Sequence, residues 1–100
     1  MKFDGEWLEL FNERAAILEY DAGMNRREAE EKAAEEVEML RHRAEVRSCI
    51  KISLRLGKGA LRAYFEDVEK QRGPGLMSKL KKDVLDQWQK GNRGEPGRWL

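Results

Sequence analysis

Glu28, Glu31, Glu35 and Glu38 recur at intervals of three, four and three residues within NRREAEEKAAEEVEML at 25–40. On a helix they fall within about 80° of one another and span about 15 Å. Carboxylates held in such a row accept hydrogen bonds and repel one another by a few tenths of a kcal/mol per pair. A surface built to hold phosphates would relieve that repulsion. Glu6, Glu9 and Glu13 repeat the pattern upstream, and few lysines stand beside either row. The ordinary meaning of such a row is a solvated helix face, since glutamate is a good helix former. The sharper meaning is a partner-binding surface.

Other chemistry finds less support. Cys49 is the only cysteine, which excludes an internal disulfide and a cysteine-based zinc site. His42 is the only histidine, so it has no second imidazole for a metal. The two lie about 10 Å apart along a straight helix by rise alone, too far to work as base and nucleophile. Cys49 is expected in the core. GKG at 57–59 lacks the glycine spacing and hydroxyl of a P-loop and fits a turn between helices. These observations predict no enzyme activity, no metal, no cofactor and no small-molecule substrate.

The formal net charge of +1 conceals a division. Residues 1–40 carry 12 acids and 5 bases, whereas residues 41–100 carry 7 acids and 15 bases. Separate faces for separate partners would produce this pattern. The basic half offers an alternative surface of Lys58, Arg62, Lys79 and Lys82: Lys79, Lys82 and Lys90 lie outward on the last helix, with Lys51, Arg55, Lys58 and Arg62 upstream. Such side chains make phosphate contacts. No helix-turn-helix signature accompanies them, and the aromatic residues are claimed by helical stripes, so direct nucleic-acid binding is the lesser reading.

The elements that must position these residues are helices. One hundred residues are enough for one domain, and a 39% charged fraction permits folding when apolar residues keep a regular period. Trp7, Phe11, Ala15 and Leu18 share one face of a helix expected from Gly5 to Asp21, flanked by Leu8, Leu10 and Ile17. Asp4 can cap this helix, and Ala22-Gly23 ends it. Asn25 followed by Glu28 resembles a capping box. Ala29, Ala33, Val37, Leu40 and Ala44 then form a narrow stripe opposite the glutamates, which predicts a helical hairpin at the N-terminus. VRSCIKISLRLG fits both a strand and a helix period. The lack of a partner strand favours a helix ending at Gly57.

A further helix is expected at about 59–71, with Leu61, Tyr64, Phe65 and Val68 inward. Pro74 and its flanking glycines break it. The last helix is expected at about 76–90, with Met77, Leu80, Val84 and Trp88 on one face. GNRGEPGRWL has no periodicity and reads as a flexible tail over 91–100. The expected fold is all-α: a compact bundle of four to five short helices in one domain over 1–90, around one core centred on Trp7, Phe11, Leu18, Val37, Leu40, Phe65, Leu80 and Trp88. The opening MKFDGEW has no apolar run of a signal peptide. No stretch approaches the roughly 20 apolar residues of a membrane span, so no membrane partner is expected.

ERAAILEYDAGMNRREAEEKA at 13–33 resembles a segment that recurs in small helical proteins of proteobacterial phages and mobile elements. LRAYFEDVEKQRG followed by LKKDVLDQW is similar to later portions of such proteins. The size and the free-standing helical domain also resemble the anti-CRISPR proteins of Pseudomonas phages directed at the type I-F surveillance complex. That resemblance implies a non-enzymatic inhibitor in the host bacterial cytoplasm, with subunits of the host CRISPR-Cas effector complex as partners. It implies a block of target DNA recognition, with carboxylates presented where DNA phosphates would lie. On this view Glu28, Glu31, Glu35, Glu38, Glu6, Glu9 and Glu13 form the contact surface. The alternative is a nucleic-acid-binding accessory factor using the basic half.

Overall fold

A computed structural model describes residues 3–100. The described residues contain four helices and no strand: α1 Gly5–Asp21, α2 Arg26–Leu56, α3 Lys58–Arg72 and α4 Pro74–Gln89. The all-α class is therefore as expected. The second helix is not short, however. It runs unbroken for 31 residues through the segment whose period was ambiguous. Val46, Cys49 and Ile50 are fully buried there, whereas Leu54 stays 52% exposed. The helical period placed Leu54 inward with the first three, but the stripe ends at Ile50: Ile52 is half-buried and Leu54 and Leu56 face out.

Punctuation between helices follows backbone chemistry. The side-chain amide of Asn25 and the carboxylate of Glu28 cap α2 together. Asn25 Oδ1 accepts from the Glu28 N–H at 2.9 Å, and Asn25 Nδ2 donates to Glu28 Oε1 at 3.0 Å. Asp4 occupies the N-cap position of α1 in an extended conformation but makes no side-chain capping bond, contrary to expectation. A single glycine separates α3 from α4. Gly73 has φ +93°, open to glycine at little cost, and Pro74 then sits in the first turn of α4, where no donor is missed. Pro74 thus starts a helix as much as it stops one.

The chain divides into two compact units, residues 1–41 and 42–100, each with its own core where a single core was expected. The first unit is organised by Phe3, Phe11, Ala15, Ala33 and Val37, with Trp7, Leu8, Leu10 and Leu18 packed against them. Ala29 and Ala33 are buried at 1% and 0% exposure, so small residues do occupy the close-packed stripe of α2. The second unit is organised by Val46, Cys49, Ile50, Val68, Leu80 and Val84, with Leu61, Tyr64, Phe65, Met77 and Trp99 packed around them. Phe65 and Leu40 are only half-buried. Trp88, assigned to the core from its position, is exposed at 36%, and Gln87 takes the buried place beside it.

The closing segment is also more structured than its lack of period implied. It forms no helix, but Asn92 and Gly94 are buried, and side-chain hydrogen bonds join it to α2 and α4. Among the described residues, no helix is long and apolar enough to cross a membrane.

Candidate partner-binding surfaces

Within the first unit the apolar faces of α1 and α2 fix where the glutamates point. Burial of Phe11 and Ala15 on α1 leaves Glu6, Glu9 and Glu13 exposed. Burial of Ala29, Ala33 and Val37 does the same for Glu28, Glu31 and Glu35, while Glu38 is half-buried. The four carboxylates on α2 differ in chemistry. Glu28 is engaged in the cap with Asn25. Glu31 pairs with Arg27 at 3.3 Å, one turn away. Glu35 makes no ion pair among the described residues, and neither do Glu6, Glu9 and Glu13. Neighbouring arginines, rather than lysines, thus offset part of the acidic row. Arg26 pairs with Glu30 at 3.0 Å, and Arg14 Nη1 donates to Glu36 at 3.1 Å while its buried Nε has no partner. The exposed pairs, Arg26–Glu30 and Arg27–Glu31, contribute little to stability. The unit as a whole keeps 12 acids against 6 bases.

The second unit has the opposite balance, 14 bases against 7 acids. Lys58, Arg62, Lys79 and Lys82 are all exposed. Lys58 opens α3 with Arg62 one turn on, and Lys79 and Lys82 lie on α4. Asp83, Asp86, Glu66 and Asp67 stand on the same two helices and interrupt the basic surface.

Two polar clusters in this unit escaped the sequence reading. His42 does not stand alone: its Nε2 lies 2.6 Å from Asp83 Oδ2, joining α2 to α4. The Asp83 carboxylate can only accept, so Nε2 bears the hydrogen. One turn along α2, Glu45 accepts from the Tyr64 hydroxyl and from Arg72, whose Nη1 is 3.0 Å from Oε1. Burial pushes the Glu45 carboxyl upward, but hydrogen bonds from Arg72 and Tyr64 and the charges of Arg72 and His42 outweigh it. The net result lies below the usual 4.5. Burial, then the bond to Glu45, pushes the Tyr64 phenol to about 12. Burial, then the Glu45 charge, pushes the Cys49 thiol to about 12. A thiol so raised is protonated at neutral pH and is a poor nucleophile. These groups act as fasteners between helices. Their partners are 19 to 41 residues away, and no local pattern announces such pairs.

No group of three or more metal-ligating side chains occurs among the described residues. Comparison of the chain with protein-family models, with curated proteins and with solved structures finds no match.

Proposed function

We propose that the protein is a non-enzymatic inhibitor whose acidic unit occupies a basic, nucleic-acid-binding groove of a type I-F CRISPR surveillance complex. The observation that carries this reading is the set of exposed carboxylates on one unit of net charge −6, counting its 12 acids and 6 bases. The likeness of residues 13–33 to mobile-element proteins gives the direction. In this reading α1 and the first half of α2 form a helical hairpin that presents both glutamate rows. Carboxylates repeat about every 5.4 Å along a helix, and phosphates about every 3.4 Å along a DNA strand. A groove lined with flexible lysines tolerates that difference in spacing.

Glu28 belongs to the α2 cap and Glu31 already has an arginine, so a clean test avoids both. Replacing Glu6, Glu9, Glu13 and Glu35 by Lys reverses exposed carboxylates without touching either core. Purified surveillance complex is then mixed with labelled target DNA and increasing inhibitor. The unaltered protein is expected to displace the DNA, and the reversed protein to need at least 100-fold more. Truncating one side of a desolvated charge pair typically costs about 2–5 kcal/mol, which supports that magnitude. Equal potency of the two proteins would remove the acidic surface from consideration.

The second reading, an accessory factor that binds nucleic acid itself, is favoured by the exposure of Lys58, Arg62, Lys79 and Lys82 on a unit of net charge +7, from its 14 bases and 7 acids. Anisotropy of labelled duplex and single strands at low salt distinguishes it. Binding with a steep salt slope, lost on replacing those four residues by Glu, would make the basic unit the functional surface.

A further inference from the structure

The buried carboxamide of Gln87 is the most specific polar group in the molecule that the proposed function does not use. It is 1% exposed, yet neither its donor nor its acceptor is spent on a helix. Its Nε2 donates to the Leu100 carbonyl oxygen at 2.8 Å, and its Oε1 accepts from the Leu100 N–H at 2.8 Å. One side-chain amide therefore pairs with both backbone groups of a single residue. An extended chain offers this pair of groups at any residue but proline, whatever the side chain. The preceding residues are read in the same manner. The Arg98 carbonyl accepts from Asn92 Nδ2 at 3.1 Å and from Arg47 Nη1 at 3.4 Å. The side chain between them, Trp99, packs against the cluster of Val46, Ile50, Leu80 and Val84, with the Arg43 guanidinium 5.0 Å from its ring centroid. Backbone contacts on either side of an inserted aromatic anchor are how grooves bind extended peptides.

We infer that the face of the second unit between α2 and α4 is a peptide-binding groove, which residues 98–100 of the chain occupy as a built-in ligand. The occupant in trans is an extended segment of another protein with a tryptophan at the place of Trp99. Only the tryptophan is recognised by its side chain. Every other contact is with the main chain, so a segment of different sequence satisfies the same partners. The tethered segment competes at a high effective concentration, of order millimolar for short flexible linkers. The groove is therefore closed until a stronger ligand arrives or the strap opens. Residues 95–97 between the buried Gly94 and the bound segment are exposed, and the turn bond from the Arg98 N–H to the Glu95 carbonyl at 3.1 Å is what opening would release.

The test opens the strap within the full chain. Trp99→Ala removes the anchor, and Leu100→Pro removes the N–H that Gln87 accepts. A fluorescein-labelled peptide of sequence Glu-Pro-Gly-Arg-Trp-Leu is titrated against the double variant and the unaltered protein, followed by anisotropy. The expected result is binding to the variant at least tenfold tighter than to the unaltered chain, abolished when the peptide tryptophan becomes alanine. A folded variant that binds no peptide up to 1 mM overturns the proposal, as does equal affinity for both peptides. If the variant fails to fold, hydrogen exchange of the unaltered chain decides. The Trp99 and Leu100 amides must then exchange at least tenfold faster than Val84 on α4, and equal rates overturn the proposal. A dimer of the unaltered chain that dissociates on adding free peptide would assign the groove to a second copy and overturn the trans partner.

Discussion

Cys49 shows how a residue's surroundings decide its chemistry. It is fully buried, with its thiol held at about 12, first by desolvation and then by Glu45. Alkylation with iodoacetamide at pH 8 is therefore expected only when the second unit unfolds. Labelling in native buffer should rise in step with loss of ellipticity in urea, and rapid native labelling would contradict the burial. Glu45 supplies a pH dependence of definite sign. Its folded value is depressed, so the stability it contributes is present above about pH 4.5, its ordinary value, and is lost as the pH falls through the folded value. Glu45→Gln is expected to unfold at lower urea than the unaltered protein at pH 7. The gap between the two midpoints should narrow at pH 3.5. An unchanged gap would mean that the bonds from Arg72 and Tyr64 do not favour the ionised form. Leu80, 1% exposed, is the residue whose truncation should harm packing most directly in α4. Leu80→Ala is expected to cost about 2–5 kcal/mol in chemical denaturation. The half-buried Phe65 should cost less than a fully buried aromatic would.

At the scale of elements, periodic signals carried far and long-range ones did not. The 3.6-residue period set α1 at Gly5–Asp21, and Asn25 with Glu28 marked the start of α2, because both signals lie within a few residues of each other. The boundary between α3 and α4 was legible in Gly73-Pro74 for the same reason. The exposed glutamates followed from the same arithmetic. Trp88 failed because helical angle places a residue near a face without saying what already fills it. Gln87 wins the buried place through bonds to residues that have no period at all. The contacts of the closing segment were missed on the same ground: absence of rhythm is not absence of partners. Gly94 makes this concrete. Its φ is +85°, and an added Cβ would lie 2.7 Å from Lys51 Cγ and 2.8 Å from the Arg47 carbonyl oxygen. Backbone cannot yield as a flexible side chain can. Gly94→Ala is expected to destabilise by more than about 1 kcal/mol, combining strain at positive φ with a clash. Thermal unfolding monitored at 222 nm would read it. A Tm equal to that of the unaltered protein would show the segment is not held against α2.

For the whole molecule, the division of charge coincides with the division of structure. Twelve acids and 6 bases lie in residues 1–41, and 7 acids and 14 bases in 42–100. Surface potential acts locally over about 10 Å at 0.1 M salt, so the small net charge does not govern adsorption. The protein is expected to be retained at pH 7 and low salt on both anion and cation exchangers. Flow-through on either would show that the nearby opposite charges cancel. Sequence disclosed the imbalance between halves, but the second core came from packing, which no composition count contains.

The two cores also have an order in time. All the residues that organise the first, from Phe3 to Val37, are added to the growing chain before Val46, the first residue of the second cluster. Domains generally fold as units during synthesis, the earlier part first. The N-terminal half of α2 can therefore dock on α1 while its own C-terminal half is still within the exit tunnel, and the helix then grows from an end already anchored. The strap closes last, because Gln87 waits for Leu100. In a chain released short of Trp99, the first core would thus be complete while the second lacked Trp99 and the bonds between Gln87 and Leu100.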